Sequence, residues 1–149
     1  MLANQNRTVP YCLAVLGITW IAVGILRNLG IEMVIRHVVQ VLPLFLAVGV
    51  VQRRPDWMSS IGVALFLGWL AGMSLLWNSW RRLMEANSHF IFPMQEAVFT
   101  GIIASVATLG VLRAVRTGSD AWLGKRLALL GTALAAQLTA MVLGTLVVN

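Results

Sequence analysis

Residues 31–43 read IEMVIRHVVQVLP, a stretch apolar enough to enter a bilayer that nonetheless carries Glu32, Arg36, His37 and Gln40. A helix turns about 100° per residue. With Glu32 set at zero, Pro43 falls at about 20°, Arg36 at about 40°, Gln40 at about 80° and His37 at about 140°. The polar groups therefore share one face. Val34, Val38, Val41 and Phe45 occupy the other and can meet lipid. This spacing predicts an amphipathic membrane-spanning helix, over residues 31–52, whose polar face turns into a bundle.

Four further apolar runs flank it, at about residues 10–26, 58–77, 93–112 and 127–148. Each approaches the roughly 20 residues that a helix needs to cross about 30 Å of hydrocarbon. Helices are required because backbone groups in lipid must be satisfied within the segment. The first run has the position of a signal peptide, but no small-x-small cleavage site follows it, so it reads as a retained span. Short connections leave no room for a soluble domain between spans. The sequence thus predicts an all-α, five-span helical bundle over residues 1–149 as a single transmembrane domain.

Composition agrees. Hydrophobic residues make up 59% and charged residues 11% of the chain, against about 25% charged in ordinary soluble domains. The net charge of +6 is not massed on one segment. Basic residues sit in pairs between apolar runs, as flanks that hold orientation do, so the charge excludes no membrane role and implies no nucleic acid. Ten of the eleven basic residues are Arg, which hints at a bacterial genome rich in G and C. The lone cysteine, Cys12, excludes an internal disulfide and reads as a small hydrophobe.

Five spans put the termini on opposite sides. Arg7, Arg53, Arg54, Arg113, Arg116, Lys125 and Arg126 share the amino-terminal side, whereas Arg27, Arg36, Arg81 and Arg82 belong to the other. The excess predicts a cytoplasmic amino terminus and an external carboxyl terminus in a bacterial inner membrane. Tyr11, Trp57 and Trp122 fall at the cytoplasmic interface, Trp77 and Trp80 at the outer one. Gly68 with Gly72, and Gly131 with Ala135 and Thr139, have small-xxx-small spacing, read here as packing within the chain. A faint duplication pairs Glu32 to Trp57 with Glu96 to Trp122, each unit beginning on a glutamate and ending in basic residues, an aspartate and a tryptophan.

Depth makes the second span informative. At a rise of 1.5 Å per residue, His37 lies about 9 Å and Gln40 about 13 Å below residue 31. Ionisable groups at such depth are expensive and point to function. Arg36 can snorkel or pair with Glu32 at i,i+4. Pro43 cannot bond the carbonyl of Val39, which predicts a kink. The fourth span enters from the same side with His89, Gln95, Glu96 and Thr100. The expected site is a polar pocket between the second and fourth spans, in the outer half, built from Arg36, His37, Gln40, Glu32 and Glu96. Glu32 and Glu96 also complement the positive ends of their helix dipoles.

No nucleophile elbow, HExxH, phosphate loop or Cys-His zinc spacing occurs, so no catalytic residue is assigned. The expected function is ligand binding or an accessory role in a membrane complex, with the bilayer and other membrane subunits or further copies of the chain as partners. Proton-coupled transport through the embedded acid and histidine is the alternative. Third stands a redox subunit that binds haem or a quinone. His37 and His89 are the weak metal candidates; haem would need them to face one another, and no spacing motif sets them so.

Overall fold

A computed structural model describes residues 8–26, 30–86, 94–116 and 122–146. It is all-helical. The helices are α1 (Thr8–Leu26), α2 (Ile31–Arg53), α3 (Met58–Ala86), α4 (Met94–Arg116) and α5 (Leu123–Leu146). A 3-10 turn, Pro55–Trp57, joins α2 to α3. All five helices contain stretches long and apolar enough to cross a membrane, as a multi-pass protein requires.

Local chemistry explains the ends. Gly30 caps α2 at φ 84°, a left-handed conformation that glycine adopts without a Cβ penalty. Its carbonyl accepts the Val34 N–H at 3.3 Å. At the other end Pro55 drives the preceding residue out of the helical region; Arg54 sits at φ −132°, ψ 76°, and α2 stops there. Pro10 lies in the first turn of α1, where a missing N–H leaves no helical bond unmade. Pro43 is carried inside α2, which is one continuous helix across it.

Three boundaries depart from the hydropathy pattern. The third apolar run ends near residue 77, yet α3 continues to Ala86 through RRLMEA. Hydropathy measures how much chain crosses lipid. Arg, Leu, Met, Glu and Ala favour the helix regardless and contain no breaker, so the turn propagates beyond the apolar segment. For the same reason α4 runs on to Arg116 and α5 begins at Leu123, which takes Arg113, Arg116, Lys125 and Arg126 into helices.

The helices close a ring in the order α1, α2, α5, α3, α4 and back to α1, and α3 also reaches across to α1 and α2. Successive helices run antiparallel. Val9, Gly62 and Ala114 meet at one end, through the start of α1, the start of α3 and the end of α4. Gln40 and Gly144 meet toward the other, through the first half of α2 and the end of α5. The start of α1 and the end of α5 therefore lie at opposite ends of the bundle.

The core follows α3. Leu65, Phe66 and Trp69 are fully buried among Leu13, Leu16, Leu44, Ile103 and Ala107. Phe66 lies directly on Gly110 of α4, and Gly17 of α1 accepts the Phe45 ring from α2. The outside is apolar as well: Ile18, Leu46, Leu67, Leu109, Leu127 and Leu138 are exposed. A water-soluble monomer rarely presents so continuous an apolar surface, whereas lipid tails solvate it without cost. Gly131, Ala135 and Thr139 lie on that outer surface, so this stripe of α5 does not pack within the chain. Gly68 does, against Leu134.

Candidate polar site at mid-depth

The polar face of α2 is covered by α1 and α5. α4, the helix that the sequence pattern sets against it, packs on α3 and α1 instead. Helical periodicity fixes which face is polar but not which neighbour covers it. α1 packs on α2 and α3 on α4, and closing the ring then brings α5 onto α2.

His37 and Gln40 are buried, Arg36 is half-buried and Glu32 is exposed at the start of its helix. Glu96 stands in the first turn of α4, on a helix that does not line this face; its side chain lies outside the described residues, as does His89. Thus His37 and Gln40 are the buried members of the expected set, while Arg36 is half-buried and Glu32 exposed on the same helix.

Side chains of other helices complete the site. Trp20 of α1 donates its indole N–H to Gln40 Oε1 at 2.9 Å. Gln137 of α5 donates Nε2–H to the Gln40 carbonyl at 3.0 Å. That carbonyl is next to the one left without its helical donor by Pro43. The His37 ring lies against Trp20, centroids 5.0 Å apart, in the space left by Gly24, where a Cβ would come within 3.2 Å of the imidazole. His37 Nδ1 bonds the carbonyl of Met33 in its own helix. A carbonyl only accepts, so Nδ1 carries the hydrogen, and in the neutral ring Nε2 is the acceptor. Trp69 of α3 meets Trp20 edge-on, centroids 5.1 Å apart and planes at 73°, the geometry that aromatic quadrupoles favour.

A chain of contacts therefore runs Trp69, Trp20, Gln40, Gln137 and ties α3, α1, α2 and α5 together. Its two ends are unsatisfied: Trp69 Nε1 and Gln137 Oε1 are buried without a hydrogen-bond partner. Each such group costs about 1–3 kcal/mol of desolvation. One is a donor and the other an acceptor. Among the described residues, no three His, Cys, Asp or Glu side chains gather to hold a metal ion.

Trp20 and Gln137 have no place in the hydropathy reading, because a single polar atom hardly moves a window average. Both leave a signal nonetheless. Trp20 sits deep in its span, whereas tryptophan favours the interfaces, and Gln137 is the lone amide inside α5. Comparison of this chain with protein-family models, with curated proteins and with solved structures finds no match.

Proposed function

We propose that this chain is a non-catalytic, multi-pass protein of a bacterial inner membrane. It holds a small polar ligand at mid-depth, as a binding or accessory subunit of a membrane complex. The observation that carries the reading is the buried donor and acceptor, Trp69 Nε1 and Gln137 Oε1, at the ends of an otherwise bonded network. A carbonyl on the ligand meets the indole N–H, and a hydroxyl or amide N–H meets the glutamine oxygen. A quinone-like head group supplies the first contact only. Arg36, half-buried on the same face of α2, is the cation nearest in sequence to this site.

Orientation follows from charge. Arg53, Arg54, Arg113, Arg116, Lys125 and Arg126 all belong to the end of the bundle where α1 starts. This excess supports a cytoplasmic amino terminus.

The test is purification from native membranes in mild detergent, followed by mass spectrometry of small molecules and proteins that co-elute. A molecule retained by the wild type and lost from a Trp69→Phe, Gln137→Leu variant supports the proposal. Equal retention by both refutes the site. A Soret band in the purified protein would replace the reading with a haem subunit, and proton-coupled uptake into vesicles lost in His37→Ala would replace it with a transporter.

A further inference from the structure

A second feature lies away from the polar network, on the lipid-facing side of α2 and α5. An open groove of about 520 Å³ runs between these helices, walled by Leu42, Leu46 and Val50 on one side and Leu129, Ala136 and Leu143 on the other. Its wall is apolar even at threonine, since Thr132 Oγ1 donates to the Ala128 carbonyl of its own helix at 2.8 Å. Lining residues run from 39 to 50 on α2 and from 129 to 143 on α5. At 1.5 Å per residue these are about 16 Å and 21 Å. One leaflet of a bilayer supplies roughly 15 Å of hydrocarbon, half of about 30 Å. The groove thus has the length of a single acyl chain.

One end of the groove is polar and basic. Trp57, from the turn before α3, lines it, and its Nε1 is buried with no hydrogen-bond partner. Over the same ring stand the Arg54 guanidinium, 5.9 Å from the centroid, and the Lys125 ammonium, 5.5 Å from it. Asp56 holds Lys125 at 3.3 Å. Arg54, with Arg53 before it and Arg126 beside Lys125, leaves this end in positive surplus.

We propose that the α2–α5 groove binds one acyl chain of an anionic phospholipid, with its phosphate met by Arg54 and Lys125 and an ester oxygen accepting the Trp57 N–H. The order of parts matches the order in such a lipid: charge outermost, a hydrogen-bonding glycerol level next, hydrocarbon below. A partner helix would fill the groove but has no need of the unpaired donor and surplus cations at one end. The proposal does not depend on the mid-depth site.

The full chain in mild detergent is titrated with phosphatidylglycerol and with phosphatidylcholine of the same acyl chains, and bound lipid is counted by native mass spectrometry. The wild type is expected to retain phosphatidylglycerol preferentially. Removing Arg54 or Lys125 as alanine weakens that retention about fivefold each. Trp57→Phe weakens it by a similar factor with charge unchanged. Ala136→Phe, with the milder Ala136→Leu as a check on folding, blocks the groove and abolishes tight retention while leaving every cation in place. Equal retention of the two lipids by the wild type overturns the proposal. So does wild-type retention in both Ala136 variants, which would reduce the effect to surface charge. A dimer that Ala136→Phe splits into monomers overturns it too, in favour of a second copy in the groove.

Discussion

Replacing Gln137 with leucine should stabilise the isolated protein. Gln137 is 3% exposed, donates one hydrogen bond to the Gln40 carbonyl and leaves its own Oε1 unpaired. Leucine has nearly the same length and volume, so packing changes little. The lost interhelical bond costs about 0.6 kcal/mol, at most about 1.7. Gln40's carbonyl is not orphaned, because a helical carbonyl also serves the N–H four residues on. Removing an unpaired buried amide oxygen returns about 1–3 kcal/mol. With the average bond cost the balance is a gain of about 0.4–2.4 kcal/mol, or a rise in Tm of about 1–7 °C for a chain of this size. Thermal unfolding in mild detergent after extensive washing, read by circular dichroism, measures it. The proposed ligand, by engaging Oε1 in native membranes, should reverse the sign there, so that the same variant loses stability against wild type. Gln137→Glu is the control, since a carboxyl in the same place must either hold a charge in a buried site or take up a proton, and it destabilises by about 2–3 kcal/mol. A washed Gln137→Leu protein that melts well below wild type would refute the reasoning, because Oε1 must then have a partner within the chain.

Three further outcomes are expected. Gly110→Ala drives a Cβ into the Phe66 ring and should cost about 1–3 kcal/mol by thermal melt; Phe66→Leu in the same chain should restore most of it, and Gly72→Ala, with nothing within 4 Å of the new methyl, should be neutral or better. Gly144→Ala sets a Cβ 2.7 Å from Gln40 Cγ and 3.2 Å from the Arg36 carbonyl, so it should destabilise by a similar amount and shift Trp20 fluorescence in a background where the other tryptophans are phenylalanine. Lys125→Ala breaks a half-exposed pair with Asp56; it should cost at most about 1 kcal/mol by melt, and less at high salt.

The sequence by itself determined that this is an all-helical chain of five segments able to cross a membrane, and roughly where each begins and ends. Apolar length, the Gly30 cap and the Arg54–Pro55 break are local properties, written in neighbouring residues. It also determined that His37 and Gln40 belong on one face of α2, because a 100° turn is fixed by backbone geometry alone. What covers that face was decided only by the tertiary structure. Trp20 and Gln137, 20 residues before and 97 residues after Gln40, supply the contacts that the polar opening of the fourth span was expected to make. The extension of α3 to Ala86 was likewise hidden, since hydropathy reports where lipid ends and not where helical bonding does. In lipid, apolar faces of different helices are nearly interchangeable. The choice of neighbour then falls to small-residue slots such as Gly24 and Gly144 and to a few hydrogen bonds, whose meaning appears only when distant segments are brought together.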